Sequence, residues 1–240
     1  DGQIEDEARQ HIPHELDEVY MDYFRMEPGD EAEEVDVLLA AVKRDHMDDY
    51  VGVLKEAGLN PVIMDIDSFA LQNMFESNYA TESSDVGALV CIGASNTNIN
   101  ITRDGASLFT RDINIGGEQY TEEIQKALNV SYEEATAMKM AGEEDSEAED
   151  VIPQEVSDVI RSVSEQIATE IMKSLDFFMT TNAEAAISKI YLTGGCSRLQ
   201  GLDKIIEDKT GYPVELINPF NNIDYNPKDW SPDELARFAP

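Results

Sequence analysis

The sequence has 240 residues and a mass of 26.7 kDa, with 50 acidic side chains against 17 basic ones, a net charge of −33 and a pI near 4.1. A phosphate backbone or an anionic lipid surface must be met by clusters of Lys and Arg, so this balance excludes a nucleic-acid reader and direct docking on an acidic membrane. The 42% hydrophobic and 8% aromatic content is nonetheless enough for a real core, which sets the chain apart from acidic disordered proteins.

Residues 1–14 are polar with helical spacing, ending at Ile12-Pro13. Val19 to Met26 alternates as a strand does, and Glu27-Pro28-Gly29-Asp30 is turn chemistry for a hairpin tip. Val35 to Val42 is a second, more buried strand. Asp45 is expected to cap a helix carrying Met47, Val51 and Leu54 on one face, with Gly58 near its end. Pro61 to Ile66 reads as a third strand, Phe69 to Phe75 as a second helix, and 77–84 as a polar linker.

Beyond the linker, Ala88–Ile92, Thr97–Thr102 and Ser107–Ile115 are successive strands, the last two joined by the hairpin pair Asp104-Gly105. A helix is expected from Glu118 to Leu128, and Ser131 with Glu134 spells a capping box for the next. Glu143 to Asp150 is an acidic exposed loop. After Pro153, apolar residues from Val156 to Phe178 form one long helical stripe whose plain reading is a core-facing helix. Ile190–Thr193 is a strand, Leu202–Thr210 a helix, Val214–Ile217 a last strand, and 218–240 a proline-rich tail with little regular pattern.

No stretch approaches the roughly 20 apolar residues of a membrane helix, and no early apolar run resembles a signal peptide. The first residues read as a chain entered partway. Cys91 and Cys196 are the only cysteines, so neither a disulfide framework nor a zinc site is expected, and a reducing compartment is. His11 and His14 form an H-x-x-H, but the only other histidine, His46, is not at metal spacing.

Two glycine-bearing turns follow buried strands. The first, Gly93-Ala94-Ser95-Asn96-Thr97, offers backbone amides and hydroxyls to an anion such as a phosphate. The second, Gly194-Gly195-Cys196-Ser197-Arg198, lies between a strand and a helix, where paired glycines allow close approach of a flat ligand. Neither has the spacing of a P-loop or of a Rossmann fingerprint. Each alone has a bland reading, a plain hairpin or a plain helix start.

The two turns, about 100 residues apart with a helical segment between them, resemble in their order the actin-like ATPase superfamily. Within it the chain is similar to the FtsA-like branch and its PilM family of type IV pilus assembly proteins. The carrying segments are Gln10–Pro13 and Leu16–Val19, Cys91–Ser95, Phe109–Asp112 running into Gly116–Gln119, Leu192–Gly195, and Asn218–Phe220. The resemblance spans nearly the whole chain.

It implies an α/β, RNase H-like ATPase lobe with an FtsA-type insertion subdomain. In that layout 1–14 end a first-lobe helix, 15–66 are the insertion subdomain, and 67–84 a helix and linker. Residues 85–117 and 188–240 form the second nucleotide-binding lobe with its tail, and 118–187 its helical cap. By the same comparison most of the first lobe is missing, so an incomplete chain is expected. The resemblance further implies ATP or ADP with Mg²⁺, weakly held if at all here. Gly93, Ala94, Ser95, Asn96 and Thr97 would face the phosphates. Gly116, Gly117, Glu134, Lys139, Gly194, Gly195, Cys196 and Arg198 would face the adenosine and ribose.

Two departures bear on chemistry. Cys91 stands where the family's phosphate turn has Asp, and a soft neutral thiol cannot replace hard oxygen ligation of Mg²⁺ or its water. The family's Ala-Glu…Lys motif appears as Ala135-Thr136…Lys139, so the ribose carboxylate is lost unless Glu134 stands in. No catalytic residue and no resident metal site are assigned, and at most weak ATPase activity is expected. Cys91 and Cys196 are expected to face the same cleft.

The function implied is a cytoplasmic, nucleotide-binding scaffold at the pilus inner-membrane platform, attached through partners. The main partner would be the N-terminal cytoplasmic segment of a PilN-like membrane protein, with pilus motor ATPases and self-association as further candidates. The alternatives are a related pseudo-ATPase scaffold of the mannose-sensitive pilus or type II secretion systems, and an actin-fold metabolite kinase. The −33 charge fits either a salty cytoplasm or a basic partner, and the spread of acids over both halves favours the first.

Overall fold

A computed structural model of the chain describes residues 2–25, 37–79, 85–142, 152–182, 185–226 and 228–239. The expected hairpin tip at 27–30 and the acidic stretches at 30–36 and 143–150 fall outside these residues, as does 80–84 of the expected linker. The chain divides into two compact units, residues 1–64 and 65–240.

The first unit begins with helix α1 (Gly2–His11) and a short 3-10 turn over Leu16–Glu18. Strands β1 (Val19–Arg25) and β2 (Val37–Lys43) pair antiparallel, Val19 opposite Lys43 and Arg25 opposite Val37. Helix α2 (Arg44–Glu56) follows β2 without a loop. Lys43, not Asp45, takes the cap position; Asp45 sits in the first turn, where its charge still complements the helix dipole. Gly58 leaves the helix at φ +80°, the left-handed conformation a β-carbon resists.

The expected third strand at Pro61–Ile66 does not form. Among the described residues the sheet of β1 and β2 has two strands, and an apolar run becomes a strand only where a neighbour supplies N–H and C=O partners. Val62 and Ile63 are instead 79% and 84% exposed.

The second unit opens with α3 (Asp67–Asn78) and is built on β3 (Val86–Ile92), β4 (Thr97–Arg103), β5 (Ala106–Ile113), β6 (Ile187–Thr193) and β7 (Val214–Leu216). Sheet order is β5-β4-β3-β6-β7. The first three strands form an antiparallel meander, turning at Asp104-Gly105 with positive φ at both positions, while β6 and β7 add in parallel. Helices α4 (Gly117–Leu128), α5 (Tyr132–Met140), α6 (Gln154–Thr181) and α7 (Leu202–Thr210) complete the unit, with α8 (Pro232–Phe238) in the tail.

Side-chain alternation sends β3 residues to two different cores. Ala88, Val90 and Ile92 join Ile99, Tyr120, Ile167, Ile171 and Phe178 in the larger cluster on the helical side. Leu89 packs on the opposite face against Phe75 of α3 and Ile217. Burial on both faces is why β3 reads as a continuous apolar run and not as an alternating one. Helix α6 buries Val156, Ile160, Val163, Ile167, Ile171, Leu175 and Phe178, the stripe legible in the sequence. Each such side chain contributes about 1.5–3 kcal/mol on removal from water.

The tail is less irregular than expected. Ser231 caps α8, Pro232 occupies its first position, and the Glu234 carboxylate returns to the Ser231 amide at 2.8 Å. A Ser-Pro-x-Glu start signal is present, masked in composition by the surrounding prolines.

Candidate functional site

The turn between β3 and β4 is tight: the Gly93 amide donates to the Asn96 carbonyl at 2.9 Å. Its own carbonyls face the start of α4. The Gly117 amide donates to Gly93 O at 2.9 Å and the Glu118 amide to Ala94 O at 2.7 Å. Two of the donors a helix start leaves unpaired are thereby consumed by the turn. Among the described residues, the amides of Ala94, Ser95 and Asn96 donate to no protein group. These three amides form a rim of open donors on the turn.

Gly116 and Gly117 are required by this closeness. A β-carbon on Gly116 would lie 2.6 Å from Ala94 O, and one on Gly117 would lie 2.6 Å from Cys196 Sγ. The second glycine turn is joined to the first through the same contact: the Cys196 thiol donates to Gly93 O at 3.6 Å. Gly194 crosses β3 at φ +90°, where a β-carbon would stand 2.4 Å from Ile92 O. Gly195 faces open space, leaving room for a flat ligand against the backbone.

Lys139, on α5, donates from Nζ to Gly117 O at 3.2 Å and is part-buried. No carboxylate pairs with it among the described residues, so its charge is directed at the turns. Thr136 lies one helical turn before Lys139, and its Oγ1 is buried with no partner among the described residues. Ser197 Oγ, in the second turn, is likewise buried and unpartnered. Unsatisfied buried hydroxyls are costly, and they mark places where a ligand or water can supply the missing bond.

The structure therefore brings together Gly93, Ala94, Gly116, Gly117, Lys139, Gly194 and Cys196 by direct contact or clash distance. Ser95, Asn96 and Gly195 belong to the same turns; Ser95 Oγ donates to the Glu118 carboxylate at 3.2 Å. Arg198 is the last residue of the 3-10 turn that begins at Gly195. Thr97 is fully buried and spends its hydroxyl on Ile115 O at 2.8 Å, a structural bond that holds the β5–α4 connection. Glu134 is occupied in the helix cap of α5. It accepts from the Ser131 amide at 2.9 Å, and that backbone bond, aided by the Ser131 hydroxyl, holds its carboxyl below the ordinary glutamate range.

The two cysteines do not face one cleft. Cys91 shares the parity of Leu89 and lies on the α3 side of the sheet, whereas Cys196 belongs to the helical-side core. The one-residue alternation along β3 separates them. Burial pushes the Cys91 thiol above its usual range, and the Asp67 carboxylate pushes it further. Asp67 is the first residue of α3, and its charge reaches the Cys91 thiol. Helix α3 is held against β4 by Asn100, fully buried, whose amide donates to Ser68 O at 3.0 Å and Gln72 Oε1 at 3.2 Å. No motif in the sequence singles out Asp67.

The arrangement is thus an amide rim, a lysine and a glycine-walled gap, a set suited to an anionic, flat-faced ligand. The sequence profile of the family "Type IV pilus assembly protein PilM" matches residues 1–240. The solved PilM-PilN type IV pilus biogenesis complex superposes at a TM-score of 0.85 with 28% identity, covering 100% of this chain and 68% of that one. Ethanolamine utilization protein EutJ from Carboxydothermus hydrogenoformans matches at TM-score 0.55 and 22% identity, over 73% of this chain and 56% of that one. MreB5 of Spiroplasma citri bound to AMPPNP matches at TM-score 0.55 and 16% identity, over 73% and 60%. The last two likenesses concern the actin-like fold alone. The order of the five-stranded sheet, the paired glycine turns and the full-length family match together mean that this chain belongs to the PilM family of type IV pilus assembly proteins, on an actin-like ATPase fold.

Proposed function

We propose that the protein is a nucleotide-binding scaffold of the type IV pilus inner-membrane platform, whose nucleotide state sets its affinity for the N-terminal cytoplasmic segment of a PilN-like membrane protein. The observation that carries the nucleotide half is the joint between Gly93 and Gly117, which fixes the phosphate-type turn at the start of α4 with the Ala94–Asn96 amides left over. ATP or ADP fits the residues present. The amide rim and Lys139 would hold phosphate oxygens, the Gly194-Gly195 wall would take the adenosine face, and the orphaned Thr136 hydroxyl would gain a partner. Mg²⁺ fits less well, because Cys91 offers no hard ligand where the family has a carboxylate. Bound Mg²⁺ would supply charge neutralisation between phosphates. A scaffold with at most weak hydrolysis is therefore the reading proposed.

In the same reading, residues 15–66 are the insertion subdomain, 85–117 with 188–240 the second lobe, and 118–187 its helical cap. The partner segment is held beside the insertion subdomain, and attachment to the membrane is peripheral, through that partner. In support, no described helix is long and apolar enough to cross a membrane. Pilus motor ATPases and self-association remain further proposed contacts.

The test is titration calorimetry on the protein with its first lobe, using ATP and Mg²⁺, then a PilN-like N-terminal peptide with and without nucleotide. Saturable nucleotide binding that changes the peptide affinity supports the reading; a peptide that fails to bind in every nucleotide state overturns the scaffold half. Cys91→Asp is expected to raise ATP hydrolysis, and equal rates in the two proteins would remove the explanation based on the thiol.

A further inference from the structure

Among the described residues of the second unit, two hydroxyls are buried without a hydrogen-bond partner, Thr136 Oγ1 on α5 and Ser197 Oγ in the second glycine turn. Their neighbours meet at Gly117. A β-carbon there would lie 2.6 Å from Cys196 Sγ and 3.6 Å from Lys139 Nζ, and the Gly117 amide donates to Gly93 O at 2.9 Å. Gly117 therefore stands between the two turns, and α5 presents Lys139 to it with Thr136 one helical turn earlier on the same side. The carboxylates of this neighbourhood are placed otherwise. Glu134 accepts from the Ser131 amide at 2.9 Å inside the capping box, and Glu118 accepts from Ser95 Oγ at 3.2 Å. Glu133, six residues before Lys139, lies about a third of a turn round α5 from it.

Resting on the nucleotide reading above, we infer that Thr136 is the residue that sets sugar specificity here, and that it makes the site indifferent to the 2′-hydroxyl, so that nucleoside triphosphates with ribose or 2′-deoxyribose bind alike. The sugar links the phosphates to the base. With phosphates on the Ala94–Asn96 amides and the base against Gly194-Gly195, it occupies the interval that Gly117 and α5 border. The neighbouring hydroxyls of ribose present two O–H donors. A carboxylate accepts both and carries charge; a threonine hydroxyl is one neutral atom and serves one of them. A carboxylate buried against the sugar would be left unpaired by a ligand lacking the 2′-hydroxyl, and that loss is what makes a site reject the deoxy analogue. The Thr136 hydroxyl is satisfied by the remaining sugar hydroxyl alone, and the amide rim, Lys139 and the glycine wall contact parts that the two ligands share.

The test is calorimetry with ATP and with 2′-deoxy-ATP, each with Mg²⁺, on the protein with its first lobe. In the wild type the two dissociation constants are expected to agree within about threefold, and a larger preference for ATP overturns the inference. Thr136→Glu supplies the missing carboxylate and is expected to favour ATP over 2′-deoxy-ATP by about tenfold or more. A folded Thr136→Glu protein that still binds both alike overturns the inference by placing the sugar away from α5. If circular dichroism shows that variant unfolded, the near-isosteric Thr136→Val decides. It is expected to weaken both nucleotides by the same factor, about threefold; a loss confined to ATP, or no loss at all, overturns the assignment. Failure of the wild type to bind either nucleotide is a different result, since it overturns the nucleotide reading itself and this inference with it.

Discussion

The amide of Gly117 donates to the carbonyl of Gly93 at 2.9 Å, tying the first residue of α4 to the turn between β3 and β4. Around that bond the approach is too close for side chains, and the Cys196 thiol closes it from the second glycine turn. Segments 24 and 103 residues from Gly93 in sequence are thereby held within one hydrogen bond of it.

The glycine pair at 194–195 separates backbone necessity from open space. Gly194→Ala forces a β-carbon at φ +90° and 2.4 Å from Ile92 O, and is expected to cost about 2–4 kcal/mol. Gly195→Ala meets nothing within 4 Å and is expected to stay within about 0.5 kcal/mol. Urea unfolding followed by circular dichroism measures both, and equal midpoints would show that the β3–β6 crossing is looser than described.

Cys91 is expected to react slowly. Burial and then the Asp67 charge raise its thiol above the usual range, so less nucleophilic thiolate is present at pH 8. Alkylation by iodoacetamide, read by mass spectrometry on the Cys91 peptide, should run slower than for a free cysteine. Asp67→Asn should accelerate it about two- to threefold by removing the like charge. An unchanged rate in that variant would mean that burial alone governs the thiol.

Glu134 ties a helix cap to pH. Its carboxyl is depressed by the Ser131 backbone bond, so its stabilising contribution is full above the ordinary glutamate value and is lost as pH falls through the depressed one. Relative to Glu134→Gln, wild-type stability in urea should therefore decline between about pH 5 and 3. Ser131→Ala removes the other half of the box and is expected to cost about 1 kcal/mol at neutral pH. A difference between wild type and Glu134→Gln that does not vary with pH would count against the cap's role.

Lys139 carries a charge that no described carboxylate balances, and it is aimed at Gly117 O. If nucleotide binds as proposed, Lys139→Met should weaken it about tenfold with little loss of stability. Calorimetry with ATP in both proteins measures this. Identical affinities would place the phosphates elsewhere.

Much of the fold was legible before any coordinates. The α6 stripe, the Asp104-Gly105 hairpin, the Ser131–Glu134 box and the two glycine turns are local signals, because each depends on spacing within a few residues. Where legibility failed, the deciding partner was distant or missing. Pro61–Ile66 has strand composition but no strand beside it. Glu134 and Thr97 make structural bonds with Ser131 and Ile115, and Thr97's partner lies 18 residues away, beyond any local pattern.

By itself, then, the sequence determined the charge, the order of elements and the candidate turns, since those follow from residue type and short spacing. Tertiary structure alone decided that the turns meet at Gly93, that Cys91 and Cys196 lie on opposite faces of β3, and that the charge of Asp67 reaches Cys91. Each of these depends on strand register and helix docking between residues far apart in the chain, and no local pattern encodes which of many apolar faces will pair.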